Sequence, residues 1–356
     1  MTVPVASQVA APAVPGRRPR LLSLDVVRGL AVVGMLLVNN AGVAGAMPTQ
    51  LRHAQSGGLH VADLVFPLFL FVAGVGTSLS PRLGTSRQVL RRCALLFGIG
   101  CLLVSARYRH LAPSTGVLQH IAIATLGAYA VLRLPRRAQP WAWGGGLALA
   151  WAAPTFLSLP GTVAGSWQGG TTLSLAVERL LTGHEGKQQV VAAVVSSLTV
   201  LAGVFAGRTL AAHPGRDGVR RLLLAAAGAG AAGLLLARSV PLDETLWTPS
   251  YVLVTGAACA ALFAGAVALL DLGGWSPLAQ PLAQPLRVLG ANAIAVYVAT
   301  TLLYSGLLAP VRDELVLPVR LLAGDGVAAL AYAGSSVLAG WVLCGWLWRR
   351  QVFLKV

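Results

Sequence analysis

Apolar runs of about twenty residues recur along the whole chain, each closed off by Pro, Gly or charge, and they decide which solvent it can fold in. They fall near residues 25–47, 61–80, 89–107, 116–134, 141–159, 190–212, 222–240, 250–272, 286–309 and 327–348. A helix that crosses roughly 30 Å of bilayer hydrocarbon needs about 20 such residues. Only 11% of the 356 residues are charged, against about 25% in a soluble domain. With 56% hydrophobic residues and a mean hydropathy of +0.73, too few charges remain to solvate a water-facing surface. In lipid every backbone polar group must find its partner within the protein, which favours helices. The expected fold class is therefore all-α, a polytopic integral membrane protein of about ten transmembrane helices. Segment 311–322 is too charged to span and reads as a short re-entrant or interfacial piece. Residues 1–20 lack the apolar core of a signal peptide and read as a disordered cytoplasmic tail, leaving 21–356 as one transmembrane domain.

The formal net charge of +16 would point to nucleic acid in a soluble protein. Here the retention of Lys and Arg in cytoplasmic loops is the simpler cause, and no nucleic-acid partner is expected. With the N-terminus inside, only Arg52, Arg107, Arg109, Arg179, Lys187, Arg238, Arg312 and Arg320 of the 27 basic residues fall outside. Both termini are expected in the cytoplasm, and the protein in the cell (plasma) membrane as a multi-pass chain. Cys93, Cys101, Cys259 and Cys344 all sit inside apolar runs and read as buried hydrophobes. No CxxC or comparable spacing exists, so no metal is expected. Gly203 and Gly207 form a GxxxG pair, and Gly228, Gly230 and Gly233 crowd another span, as helix-packing surfaces do. The duplicated PLAQ of 276–286 reads as a tolerant inner loop.

Ionisable and amide side chains are costly in a bilayer and turn toward the bundle interior or water. The candidates are Asp25, Arg28, Asn39, Asn40, Asp63, Gln119, His120 and Asn292. The first span runs outward, which puts Asn39 and Asn40 in its outer half. The next loop is outside and carries His53 and His60. Asp63 opens the second span from outside; Gln119 and His120 open the fourth; Trp247, Ser250 and Tyr251 open the eighth. Polar groups from four spans thus meet at one depth near the outer face. Asp25 and Arg28, three apart on one helix face, sit at the inner end. No GxSxG, SxxK, HExxH or P-loop pattern appears, so histidine acid/base chemistry is what these residues offer.

The stretches LLSLDVVRGLAVVGMLLVNNAG from Leu21, RHAQSGGLHVADLVFPLFLFVAGVGTSLS from Arg52, GVLQHIA from Gly116, GVFAGRTL from Gly203, LWTPSYVLVTG from Leu246 and LGANAIAVYV from Leu289 resemble, in order, the heparan-α-glucosaminide N-acetyltransferase family and its bacterial relatives. The resemblance implies transfer of an acetyl group from acetyl-CoA, bound on the cytosolic side, to an amino sugar on the far side. It places the family's histidine at His53, its asparagine at Asn39 and its aspartate at Asp63. Three positions depart from the family: Ser56 stands where it has Trp, His60 where it has Thr, and His120 where it has Arg.

These residues suit the chemistry. His53, with an ordinary pKa near 6.5, is a natural base for an amine or hydroxyl attacking a thioester. Asp63 would orient the ring, and Asn39 or Asn40 would donate to the oxyanion. Whether His53 takes a proton or briefly carries the acetyl group stays open. Arg28, Arg91 and Arg92 at the inner face, with Asn40, Gln119, His120 and Asn292 along the path, are expected to hold the CoA. His60, Trp247 and Ser250 are expected to border the acceptor. A transporter or flippase of a polar solute, a non-catalytic family member, the acyl chain length and a homo-oligomer all remain open.

Overall fold

Two helices that touch backbone to backbone set the frame. In the computed structural model, α2 (Ala62–Leu79) and α8 (Ser197–Ala212) pack so closely that a methyl group at Gly203 would strike the carbonyl oxygen of Phe71, and one at Gly74 that of Val200. Glycine allows such an approach because it presents no Cβ. The expected packing role of the Gly203–Gly207 pair is thus realised, with Gly207 facing Ser78. α9 (Arg216–Leu236) lies on α10 (Pro249–Ala266), with Gly233 against Leu253 and Val254. Gly228 meets no such neighbour. α1 (Leu22–Asn39) lies along α11 (Ser276–Ala291), where Gly29 faces the Leu286 carbonyl and Gly290 that of Asp25.

The structure describes residues 21–43, 45–54, 57–80, 84–108, 116–167, 169–183, 190–273 and 276–353. The tail read from residues 1–20, Ser56, and Arg109 and Lys187 of the charge argument lie outside them. Among the described residues the chain forms helices and no strand. The remaining elements are α3 (Ser86–Tyr108), α4 (Val117–Leu132), α5 (Gln139–Phe156), α6 (Leu173–Thr182), α7 (Val190–Val195), α12 (Ala293–Thr300), α13 (Arg312–Ala323) and α14 (Asp325–Arg349).

Each apolar run of the sequence falls on a helix, but fewer of these qualify as spans than expected. Seven are long and apolar enough to cross a membrane, or eight with one bent pair counted as a span. α4 has 16 residues, about 24 Å of rise. α5 carries three consecutive glycines with Gln139, Pro140 and Pro154. The bent pair turns by 78° between Ala283–Ala291 and Ala293–Leu307, so the run expected as one continuous helix is broken at Asn292. The PLAQ stretch also departs from expectation: it is helical, with Pro281 and Pro285 inside α11. Their four-residue spacing puts both prolines on one face, so the missing N–H groups fall on the same side. α13 covers the segment expected to be interfacial and packs on α14, burying Val316 while Leu321 and Leu322 stay exposed. All four cysteines are free, with Cys93, Cys259 and Cys344 buried.

Candidate active site

The site is made where the loops leading into α2 and α10 meet. α2 begins with Asp63 in its first turn, where an acceptor satisfies N–H groups and the helix dipole favours a carboxylate. Asp63 Oδ2 accepts the His60 N–H at 2.7 Å and the Ala54 N–H at 3.2 Å. These bonds tie the backbone at Ala54 and at His60 to the first turn of α2. They bring His53 Nδ1 to 2.9 Å from Asp63 Oδ1. The Tyr251 hydroxyl of α10 donates to the Asp63 main-chain carbonyl, joining the two spans below the site. Asp63 is buried, its side chain 3% exposed, whereas His53 is 51% exposed. The ring therefore rests on a buried anchor and looks outward.

The second loop is equally specified. Asp243 Oδ1 accepts the Leu246 N–H at 2.9 Å, and the Thr248 N–H reaches the Asp243 carbonyl. Thr248 and Ser250 hydroxyls both donate to the Pro241 carbonyl, at 2.8 and 2.9 Å. Trp247 turns the chain with φ of 51°, a left-handed conformation that costs a non-glycine residue about 1–3 kcal/mol and persists only where surroundings impose it. Those surroundings are a ring cluster. Trp247 packs against Phe66, His120 and Tyr251 at 5.5, 5.1 and 5.2 Å between centroids, and its Nε1–H donates to Thr199. The reversal carries Glu244 back over α2, with Oε2 at 2.7 Å from His53 Nδ1.

One ring nitrogen thus faces two carboxylates, and Nε2 has no hydrogen bond among the described residues. Asp63, and next Glu244, hold the His53 ring in its charged form, pushing its pKa up to about 10 against the opposing effect of burial. Burial pushes the Glu244 carboxyl up, with His53 opposing. His53, Asp63 and Glu244 also bring one donor atom each within 4.8 Å of the others, a grouping that linear spacing could not reveal. The two short Nδ1 contacts account for this closeness as hydrogen bonding.

The other candidates distribute as follows. His60 turns Nδ1 to the Arg52 carbonyl at 2.8 Å. His120 is buried, 2.9 Å from Ser196 Oγ and edge-on to Phe66. It belongs to the ring cluster of Phe66, Trp247 and Tyr251, which touches the site through the Tyr251 bond to the Asp63 carbonyl. Gln119 is buried beside Cys101 of α3. Asn39 ends α1 with its side chain exposed. Asn40 is buried, and its amide donates to Leu36 and Ser336, linking α1 to α14. Ser250 is spent on the Pro241 carbonyl. At the other end of α1, Arg28 pairs with Asp25 at 3.5 Å. Asn292 caps α12 at the helix break and donates to the Val352 carbonyl at 3.1 Å. Arg91 and Arg92 are exposed on α3. Of the four spans expected to meet, α2, α4 and α10 come together through Phe66, His120, Trp247 and Tyr251, joined by Thr199 of α8, while Asn39 is exposed and Asn40 bonds to Leu36 and Ser336. Glu244 was missed by sequence reasoning. The signal for it was the pair Asp243–Glu244, one residue ahead of the LWTPS motif, in a chain with only 11 acidic residues.

Fold and site together define a multi-span membrane protein with a histidine–carboxylate centre in the loops that cap two of its helices. The family profile described as heparan-alpha-glucosaminide N-acetyltransferase, catalytic, matches residues 20–230, and the chain belongs to that family of membrane acetyltransferases. The human (Homo sapiens) heparan-alpha-glucosaminide N-acetyltransferase is 36% identical over 132 residues, covering 33% of this chain and 19% of the human protein. The mouse (Mus musculus) protein of the same name is 36% identical over 98 residues, 25% of this chain and 14% of its own length. The matched stretches thus span less than a fifth of either relative.

Proposed function

We propose that this protein is a membrane-embedded acyltransferase. It moves an acetyl group from cytosolic acetyl-CoA to an amino or hydroxyl group of a sugar-like acceptor at the outer face of the cell membrane, both termini lying in the cytoplasm. The observation that carries the reading is the half-exposed His53, anchored through Nδ1 on buried Asp63 with Nε2 left for a reacting partner. Family membership over the catalytic region supports the same chemistry.

The acceptor's nitrogen or oxygen attacks the thioester carbon and the carbon–sulfur bond breaks. The acceptor's proton passes to His53 Nε2 and from there to the departing sulfur, so acylated acceptor and free CoA thiol leave. Asp63 holds the ring in register and balances the charge it gains. Arg28, Arg91 and Arg92 are the inner-face groups suited to the CoA phosphates. The pantetheine arm then runs outward between the helices.

Purified protein in detergent, given acetyl-CoA and glucosamine, should release free CoA thiol and acetylated sugar. Solute flux in liposomes lacking CoA, with no thiol release, would make it a transporter instead. Replacing Arg28, Arg91 and Arg92 together should weaken acetyl-CoA binding; unaltered affinity would refute the inner-face placement.

A further inference from the structure

Two carboxylates meet one nitrogen of His53, and a single N–H needs only one of them to fix the ring. Asp63 already does this from a site locked by the Ala54 and His60 N–H groups. Glu244 comes from the loop ahead of α10, beyond the residues 20–230 that the family profile covers. Its contribution must lie in something other than orientation. We propose that Glu244 is a positioning residue that holds His53 doubly protonated at neutral pH, so that release of the Nε2 proton, and with it the pH at which the site works, is set from the α10 loop.

The geometry supports this in three ways. Glu244 is placed, not drifting: the Asp243–Leu246 turn, the Thr248 and Ser250 bonds to Pro241, and the buried, left-handed Trp247 fix its backbone. Its carboxylate oxygen reaches Nδ1 at 2.7 Å from a side chain 22% exposed, against 51% for His53, so water screens the contact in part. The competing charges nearby are turned elsewhere. Arg52 donates to the Gly45 carbonyl, the Asp243 carboxylate holds the Leu246 N–H, His60 faces the Arg52 carbonyl, and the Tyr251 hydroxyl meets the Asp63 carbonyl. Among the described residues no Lys or Arg pairs with Asp63 or Glu244. The imidazolium is the positive charge available to both, and two close carboxylates favour keeping it. A general base is most effective when its pKa lies near the working pH. Glu244 therefore moves His53 away from a neutral optimum and toward an alkaline one.

The inference rests on the proposed chemistry for its kinetic arm only; the titration of His53 stands without it. The full chain in detergent, with a divalent-metal chelator present, is labelled at histidine with 13C and 15N. The His53 ring signals, identified by their loss in His53→Ala, are followed against pH. In Glu244→Gln the midpoint should fall by more than about one pH unit. In Glu244→Asp it should stay closer to wild type, because the charge remains. Where Glu244→Gln fails to fold, Glu244→Ala at this partly exposed position gives the same reading. The rising limb of the transfer-rate profile should move down in pH by the same amount as the midpoint. An unchanged midpoint in folded Glu244→Gln overturns the inference, as does a fall in Glu244→Asp equal to that in Glu244→Gln. A midpoint that falls in a protein with no acyl transfer sinks the proposed function and leaves Glu244 as the group that sets the titration of His53.

Discussion

His60 Nδ1 lies 2.8 Å from the carbonyl oxygen of Arg52, so the second histidine ahead of α2 braces the backbone that presents the first. His53→Ala should therefore lower turnover by about 10²–10⁴, since it removes a general base from a half-exposed loop position. It should also lower the unfolding temperature at neutral pH, where Asp63 and Glu244 lose the cation they share, but less so near pH 10. His60→Ala should keep most of the rate and lose some loop order. Steady-state acetyl transfer, paired with thermal unfolding of each variant, separates the two. A dead His60→Ala beside an active His53→Ala would reverse the assignment.

Asp63→Asn should damage both rate and stability. The aspartate accepts N–H groups from Ala54 and His60 as well as from the His53 ring. An amide offers one acceptor oxygen where the carboxylate offers two, so the loop and the ring compete for it. Leaving one of these groups unsatisfied costs about 1–3 kcal/mol. Denaturation in mild detergent should show the loss, and rescue by Asp63→Glu would point to charge over exact reach.

The raised proton affinity of His53 fixes the sign of two pH effects. Its contribution to stability should be complete below the ring's ordinary value near 6.5 and fade as pH climbs through about 10. If the neutral ring is the base, the transfer rate should climb over the same window and level off near its upper end. Unfolding temperatures and initial rates between pH 6 and 10.5 test both. A rate that falls through this window would make His53 a proton donor in the rate-limiting step.

Orientation in the membrane is testable with the loop before His53. In a background lacking Cys93, Cys101, Cys259 and Cys344, a cysteine at exposed Thr49 should react with an impermeant reagent in intact cells. One at exposed Arg350 should react only after lysis. The opposite pattern would invert the proposed topology.

The seam between α2 and α8 should tolerate no added volume. Gly203→Ala would drive its methyl against the Phe71 carbonyl, and the two backbones must separate to admit it, at a cost of about 1–3 kcal/mol. Gly228→Ala, where nothing lies within reach, serves as the control and should be neutral or stabilising, because alanine favours helix. Equal unfolding temperatures for both variants would refute the close contact.

Helix positions were legible because each needs only a local signal, a run of apolar residues ended by polar ones. The Gly203–Gly207 seam was legible for the same reason: spacing within one helix shows which residues share a face. His53 and Asp63 came from motif resemblance and proved to be neighbours because they flank a single turn of chain. Glu244 was not legible, since its contact with His53 depends on how α2 and α10 lean together and on a left-handed Trp247 that no propensity favours. The break at Asn292 escaped for a related reason. Its flanks are as apolar as any span, and only three-dimensional packing shows that the helix turns there. Asn39 and Asn40, adjacent in sequence, were read together as site residues; a helix ending between them sends one out and the other to Ser336.

The fracture at Asn292 has a consequence for biogenesis. Its side-chain amide is joined to the carbonyl of Val352, 60 residues further on. Until α13 and α14 have been laid down, that partner does not exist, and the bond from Asn292 to the chain's far end can form only afterwards. The ninth apolar run is thus seated late, as a clasp closed by the far end of the chain.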